Sequence, residues 1–241
     1  MPRCWPALLV IALAFSAPAA AQGPDTLIFG TTHERGSFAY GYIDEYLQAL
    51  CAEIRQRCQL QSLPGRRGAA MLADGSIVGE LGRVREYSEQ HPEYKRIDEP
   101  FISLRTYMFT RASRPEINSW DEVANKVRTV SYQRGVYFYQ KRLEALRPQV
   151  QPHDVQTVTA CLQMVLNGRD QACLFDDGSL GEDGKALLPQ GRLGRPLDVL
   201  NLYLYLGKDH AVLAPSINEA AKRLHAQGLK TRLHRKYIIS P

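Results

Sequence analysis

The chain has 241 residues, of which 44% are hydrophobic and 23% are charged, and its formal net charge at pH 7 is +5. This composition is typical of a globular protein and excludes a disordered or fibrous chain. The length allows one large domain or two modest lobes. The basic residues do not cluster together with base-reading side chains, so we expect no nucleic-acid partner.

The first residues have the pattern of a secretory signal peptide. Arg3 precedes an apolar run over residues 7–15, and small residues that include Ala19–Ala21 follow. The apolar run is shorter than the roughly 20 residues that a membrane-spanning helix needs. We therefore predict that residues 1–21 are removed by cleavage near Ala21, and that the mature protein is periplasmic.

Export would leave four cysteines, Cys51, Cys58, Cys161 and Cys173. An even number in an oxidising compartment favours two disulfides, for which three pairings are possible. The local pairing, Cys51 with Cys58 and Cys161 with Cys173, is preferred because each pair lies within one helix-turn unit. Seven residues of continuous helix span about 10 Å, so the local pairing requires the helix to end before Cys58. Four free buried thiols are the alternative, and no metal site is expected because no CxxC motif occurs.

Strands and helices alternate in the first part of the mature chain. A strand over Thr26–Thr31 precedes a helix whose apolar residues, from Ile43 to Ile54, recur at spacings of three and four. A strand over Leu60–Leu63, a short helix over Gly68–Ala73 and a strand over Ile77–Leu81 follow. The order β-α-β-α-β predicts a parallel sheet covered by helices.

The middle of the chain repeats this order. A capping box at Ser119–Glu122 precedes a strand over Val127–Tyr132 and a helix over Val136–Leu146. The remaining segments are a helix over Thr159–Leu166, a strand over Ala172–Phe175, and extended segments over Tyr107–Thr110 and Leu202–Leu206. We therefore predict a second small α/β lobe and two crossings between the lobes.

The C-terminal part is predicted to be a helix followed by a basic turn. A capping box at Ser216–Glu219 opens the helix, which ends at Gln227 before Gly228. The segment Lys230–Lys236 is rich in basic residues. It forms either a solvated face or a docking site for an acidic partner or anionic lipid.

The order of these segments resembles the bacterial extracellular solute-binding proteins of family 3, the polar amino-acid type of periplasmic receptor. The resemblance covers nearly all of the mature chain. The segments that carry it are Gly41–Ile43, Cys51–Cys58, Met71–Gly75, Glu99–Phe101, Ser119–Val123, Val130–Gly135 and Leu166–Asp170. It implies an α/β fold of the two-lobed type 2 periplasmic binding class, with the second lobe inserted into the first through two hinge strands.

The resemblance also implies an organisation and a function. Lobe 1 would comprise residues 22–109 and 196–241, and lobe 2 residues 110–195, with hinges near Phe109 and Pro196. A small polar solute, an amino acid or a related carboxylate or amine, would bind in the cleft between the lobes. The receptor, a monomer without a cofactor, would deliver this solute to an ABC-type membrane permease.

Two other functions stay open at this point. One is a sensory receptor of the same fold that signals to a membrane partner and transports nothing. The other is a dehydratase-like enzyme, with Glu80 or Glu34 as proton carrier, because one fold hosts unrelated functions. No hydrolase elbow, P-loop or zinc-protease motif occurs in the sequence, so we expect binding without catalysis.

The resemblance assigns candidate ligand contacts. Arg83, with Arg85 as a second choice, matches an arginine that pairs with the ligand carboxylate; the alternative is an arginine on a solvated loop. Glu80 departs from the family's small polar residues and would either pair with Arg83 or receive an amine. Gly135 and Tyr137 match an anion-binding helix start that keeps its amide donors but lacks the family's hydroxyls.

Further candidates follow from the same comparison. Asp176 matches the position that holds a ligand ammonium, and its alternative is an acid in a turn. Phe38 and Tyr40 match a loop whose aromatic ring covers the ligand, and their alternative is core packing. The remaining candidates are Glu34, Arg105, Tyr107 and Tyr137. The missing hydroxyls and the unusual segment around Arg83 leave the ligand class open.

Overall fold

The structure is a computed structural model that describes Met1 and residues 26–238. The predicted signal peptide lies outside the described residues, except for Met1. Ten strands are described: β1 (Leu27–Thr31), β2 (Cys58–Ser62), β3 (Gly79–Arg83), β4 (Lys95–Arg96), β5 (Ile102–Arg111), β6 (Thr129–Gln133), β7 (Gln151–Val155), β8 (Ala172–Asp176), β9 (Gly191–Leu193) and β10 (Asp198–Leu206).

Helices connect most of these strands. The α-helices described are α1 (Phe38–Glu53), α2 (Gly65–Ala73), α3 (Tyr87–Gln90), α4 (Trp120–Lys126), α5 (Tyr137–Glu144), α6 (Val158–Leu166), α7 (Glu182–Lys185), α8 (Ala214–Ala226) and α9 (Leu229–Tyr237). Short 3-10 turns cover Leu188–Gln190 and Lys208–Leu213. In the described part of the chain, no helix has the length and apolar character needed to cross a membrane.

The ten strands form one mixed sheet, in which eight follow the order β2-β1-β3-β10-β5-β8-β6-β7, while β4 pairs with β10 and β9 pairs with β5. β1 pairs in parallel with β2 and β3, and β6 pairs in parallel with β7 and β8. Between these two groups, β10 and β5 run antiparallel to each other and to their outer neighbours. We call the part around β1–β3 lobe 1 and the part around β6–β8 lobe 2. The architecture is therefore the predicted two-lobed α/β fold, with lobe 2 inserted between two connecting strands.

The connecting strands lie where the hinges are predicted. Phe109 is inside β5, and Pro196 precedes the first residue of β10 by two positions. The residue boundaries of the lobes, 22–109 with 196–241 and 110–195, stay predictions.

α1 forms because one face of it is apolar and its first turn is capped. Ser37 is the N-cap, and its hydroxyl accepts a hydrogen bond from the amide of Tyr40 at 3.2 Å. The buried side chains of the helix include Ile43, Leu47 and Leu50, spaced by three or four residues. The helix packs against α8 and α9, which cover lobe 1.

Two disulfides tie helices to strands. Cys51 near the end of α1 bonds to Cys58 at the start of β2, with 6.1 Å between their Cα atoms. Since α1 ends at Glu53, the helix stops before Cys58, as this pairing requires. Cys161 in α6 bonds to Cys173 in β8, with 5.6 Å between Cα atoms. Each lobe thus has one covalent link between a helix and its sheet.

Several elements differ from expectation, among them α8 and β7. α8 begins at Ala214, so the predicted capping box at Ser216 is wrong; the Ser216 hydroxyl donates to the carbonyl of Leu213 instead. The proline in the first turn of α8 favours the earlier start. β7 was not predicted because it is a polar, mostly exposed strand at the edge of the sheet, without apolar alternation.

The predicted basic turn over Lys230–Lys236 is also wrong, since this segment lies within α9. Gly228, with φ +77°, adopts the left-handed conformation that reverses the chain between α8 and α9. Leu229 and Leu233 are four residues apart and both buried, which gives the helix an apolar face. The basic side chains occupy the rest of its surface.

Replacing Cys161 and Cys173 together with alanine is expected to lower the free energy of unfolding by about 3 kcal/mol, because the unfolded chain loses a 12-residue closed loop. Both residues are fully buried, so lost packing adds to the effect. Equilibrium urea unfolding measures the change. The control Val212→Ala, at a residue that is 82% exposed, should change stability by less than about 0.5 kcal/mol. Equal stabilities of the two variants would contradict this account.

Candidate functional site

A cavity of about 70 Å³ lies at the junction of the two lobes. Its wall is built from the chain following β1, β3, β6 and β8, together with side chains of β5 and β10. The carboxyl ends of parallel strands from both lobes therefore face one space, the usual place for a ligand in open α/β sheets. The lining residues include Thr32, His33, Gly82, Arg83, Tyr87, Leu104, Gln133, Arg134, Gly135, Tyr137, Phe138, Asp176, Ser179, Leu200 and Leu202.

The lobes touch each other beside this cavity. The Gln133 side-chain amide in lobe 2 donates to the Glu34 carboxylate in lobe 1 at 3.0 Å. Nearby, a Cβ atom added to Gly65 at the start of α2 would lie 3.6 Å from the backbone oxygen of Gly135. The structure therefore has the two lobes closed on each other, with the cavity between them.

Arg83, at the end of β3, lines the cavity but is already paired. Its Nε and Nη2 atoms donate to the two carboxylate oxygens of Glu80, at 2.9 Å each. Glu80 is 1% exposed, and the guanidinium carbon of Arg83 lies 4.8 Å from the centre of the Tyr87 ring. Of the two expectations for Glu80, the structure thus has the ion pair. The guanidinium is neutralised on the edge that faces Glu80.

Asp176 lies at the end of β8, in the opposite wall, and is 3% exposed. Its carboxylate accepts hydrogen bonds from the Tyr139 hydroxyl at 2.9 Å and from the Ser179 hydroxyl and amide at 2.8 Å. These donors are neutral, so they stabilise the carboxylate without cancelling its charge. Asp176 is therefore a buried carboxylate of the cavity wall that neutral donors hold in place.

Two further titratable groups lie close to Asp176. Burial lowers the pKa of His33, although the nearby Asp176 opposes this change. Burial, with a smaller contribution from Asp176, raises the pKa of Asp177 to about 7. The backbone amide of Arg105 in β5 donates to Asp177 at 3.0 Å and acts in the other direction. Near neutral pH, the uncharged form of His33 is thus favoured, and Asp177 is a mixture of its protonated and ionised forms.

The start of α5 closes one side of the cavity. Gly135, with φ +89°, provides the turn from β6 into the helix, and Val136 at the N-cap offers no side-chain acceptor. Tyr137 is 45% exposed. Arg134, in the same turn, forms an ion pair with Asp154 at the end of β7. This arginine is therefore also paired with a carboxylate.

Of the candidates from sequence, Arg83, Gly135, Tyr137 and Asp176 come together in the cavity wall. Glu80 lies behind Arg83. Their contact with a ligand stays a prediction.

The other candidates lie outside the lining. Glu34 bonds to Gln133 at the contact between the lobes. Tyr107 is buried, with its ring centre 6.2 Å from that of Phe175, and Arg105 hydrogen-bonds to it. The structure does not place these residues in the cavity lining, and their ligand role stays a prediction.

Phe38 and Tyr40, which were expected to cover the ligand, also lie outside the cavity lining. Phe38 packs against the apolar core of lobe 2, and the Tyr40 hydroxyl donates to the carbonyl of Leu60 at 3.4 Å. Arg85, the second choice for the carboxylate anchor, donates to the Tyr203 hydroxyl at 3.3 Å. The rings that do line the cavity are those of Tyr87, Tyr137 and Phe138.

Sequence reasoning missed His33, Tyr87, Phe138 and Ser179. His33 lies two residues after β1, at the same sheet edge as the residues after β3. This position could have identified it as a residue of the site. Tyr87 begins the one-turn helix α3 and Ser179 lies in a turn, and segments this short give no periodic signal. Within residues 26–238, no group of three or more His, Cys, Asp or Glu side chains is arranged to hold a metal ion.

Comparison with known proteins shows the fold. No protein-family model matches the chain. A protein of Shewanella oneidensis, described only as uncharacterized, is 27% identical over 192 residues, which are 78% of this chain and 72% of that protein. The crystal structure of the substrate-binding protein of an amino acid ABC transporter superposes with a TM-score of 0.71 at 17% identity, over 88% of this chain and 99% of that one.

A second structural likeness comes from another class of protein. A histidine kinase sensor domain with similarity to periplasmic binding proteins superposes with a TM-score of 0.69 at 13% identity, over 90% of this chain and 99% of that one. The architecture is thus the two-lobed type 2 periplasmic binding fold. Identities this low show the fold alone.

The raised pKa of Asp177 makes stability depend on pH. An unfolded aspartate titrates near 4, so between about pH 4 and 7 the folded chain binds more protons and its stability falls as the pH rises. Asp177→Asn is expected to remove this loss, so it should stabilise the protein more at pH 8 than at pH 5, by on the order of 1–3 kcal/mol.

Urea unfolding at the two pH values measures this difference. Asp183→Asn, at an exposed residue of α7, is the matched control and should keep the pH dependence of the parent protein. An Asp177→Asn variant with the parent's pH dependence would show that Asp177 is not the responsible group.

Proposed function

We propose that the chain is a periplasmic solute receptor of the family 3 type, which captures a small polar solute between its lobes for an ABC-type permease. The observation that carries the proposal is the Asp176 carboxylate, buried in a cavity at the lobe junction and bonded to neutral donors. The fold shared with the substrate-binding protein of an amino acid ABC transporter supports it, as do the two disulfides, which suit an oxidising compartment.

The mechanism of this receptor is closure of the lobes. Lobe 1 contributes His33 and Arg83 to the cavity wall, and lobe 2 contributes Gly135 and Asp176. A solute that contacts both walls gains its full binding free energy only when the lobes are together, so it favours the closed state. The hydrogen bond from Gln133 to Glu34 stabilises the same state.

The positions of the acidic residues disfavour the dehydratase-like alternative. Both oxygens of Glu80 are bonded to Arg83, and Glu34 accepts a hydrogen bond from Gln133 outside the cavity lining. A proton carrier must reach the substrate within hydrogen-bond distance. We therefore propose that the chain binds its solute without catalysing a reaction.

A sensory role is the second candidate, and the likeness to a histidine kinase sensor domain supports it. In this case, the closed receptor would signal to a membrane partner instead of unloading its solute. Crosslinking of the receptor to membranes of its own cell, followed by identification of the captured protein, separates the two roles. Capture of a permease supports transport, and capture of a kinase supports sensing.

A thermal-shift screen of the mature protein against amines, amino acids, dicarboxylates, small peptides and oligosaccharides tests the proposed receptor. A ligand at 100 times its dissociation constant stabilises the fold by about 2.7 kcal/mol, or roughly 5–10 °C for a chain of this size. Asp176→Asn is expected to abolish this shift, because the amide keeps the shape of the side chain but removes its charge.

The exposed Asp183→Asn variant controls for a general effect of removing one negative charge, and its ligand shift should equal that of the parent protein. An unchanged shift in Asp176→Asn would remove Asp176 from the site. A screen without any shift would contradict the receptor function for these solute classes.

A further inference from the structure

The charged groups around the cavity do not balance. Two arginines line it, Arg83 and Arg134, and each is paired with a carboxylate, Glu80 and Asp154 respectively. Asp176 is a third carboxylate, held by neutral donors. Glu34, the partner of the lining residue Gln133, is a fourth carboxylate. Burial favours uncharged His33, so the wall and its partners contain more carboxylates than cationic groups.

The packing of lobe 1 fixes the position of the Glu80 side chain. Its carboxylate packs against Gly68 in α2, where a side chain would collide with it, and its Cγ lies 3.6 Å from the place of a Cβ on Gly30. Small residues on two elements therefore leave the space that Glu80 fills. Because Glu80 is also almost fully buried, its charge requires Arg83 as partner.

This pairing changes what Arg83 offers to a ligand. A guanidinium binds a carboxylate best through two parallel hydrogen bonds, and the edge formed by Nε and Nη2 is taken by Glu80. A ligand carboxylate would have to share an already neutralised arginine with Glu80, in a wall that also contains Asp176. The position that would anchor an amino-acid carboxylate is thus electrostatically unfavourable for one.

We propose that the cleft selects small monoamines without a carboxylate, the decarboxylated counterparts of amino acids, over the amino acids themselves. This inference rests on the proposed receptor function. A monocation bound at Asp176 compensates the charge of this carboxylate, whereas a zwitterion also buries a carboxylate beside arginines that are already paired. The apolar part of the amine lies among aromatic and leucine side chains, from Tyr87, Tyr137, Phe138, Leu104, Leu200 and Leu202.

The size of the cavity sets a further limit. At about 70 Å³ it has roughly half the volume of an engineered apolar cavity of about 150 Å³ that binds benzene. The space between the lobes therefore accommodates only a few non-hydrogen atoms. Amines with short side chains fit this space best.

Titration calorimetry with matched pairs tests the inference: ethanolamine against serine, ethylamine against alanine, and isobutylamine against valine. Each pair differs only by the carboxylate, so side-chain fit cancels within it. We expect the preferred amine to bind the mature protein at least tenfold more tightly than its parent amino acid. Equal or tighter binding of the amino acids would overturn the inference.

Glu80→Gln provides the reciprocal test. It removes one negative charge and frees Arg83, so the parent amino acid should gain at least tenfold in affinity while the amine loses affinity. Glu86→Gln, at an exposed residue three positions after Arg83, is the matched control. In this variant the amine should still bind more tightly than its parent amino acid. Thermal unfolding without ligand checks that Glu80→Gln folds, and the matched pairs on the parent protein decide the question if it does not.

The outcomes distinguish a failure of the amine selectivity from a failure of the receptor function. Binding of amino acids but not amines would overturn the amine selectivity and leave the receptor function standing. Absence of binding in both series would contradict the receptor function for these solutes, and the selectivity with it.

Discussion

The antiparallel pairing of β5 with β10 is the constraint on which the site depends. These strands pair from Ile102 with Leu202 to Thr106 with Asp198. From the two ends of this segment the strands continue into different lobes. At one end, β10 places Tyr203 opposite Arg83. At the other end, β5 places Thr106 opposite Asp176. Two strands thus position both walls of the cavity, and bending them is the simplest way to move the walls apart.

Burial is the second physical feature that organises the cavity. Water is largely excluded from Glu80 and Asp176, so each charge there needs a partner or several hydrogen bonds. Glu80 has Arg83, and Asp176 has Tyr139 and Ser179. The two carboxylates therefore differ in kind, since one is part of a neutral pair and the other keeps its charge. In our proposal, this difference determines which solutes the cleft accepts.

The fold was largely predictable because its strongest elements have strong sequence patterns. The apolar spacing in α1 identified the helix, and the alternation of strands and helices identified two parallel groups. β7, the start of α8 and α9 were missed or misplaced. Their signals are weak: β7 is polar at an edge, and α9 buries only Leu229 and Leu233 between many basic residues.

The site was less predictable, for a physical reason. Sequence reasoning named Arg83 and Asp176, which end strands β3 and β8, but left open whether Glu80 pairs with Arg83. That question depends on the space left by Gly30 and Gly68, which are 50 and 12 residues away along the chain. Phe38 and Tyr40 were expected at the ligand because they match a loop of the family; in the structure they pack against the core and do not line the cavity.

In our proposal, the charge of Asp176 holds a small cation between the lobes. Native mass spectrometry of the protein, purified from the periplasm without denaturation, tests it most directly, with the released compound then identified. We expect a small amine without a carboxylate, bound to the parent protein and absent from Asp176→Asn. A bound anion or amino acid, or the same amine retained by Asp176→Asn, would contradict it.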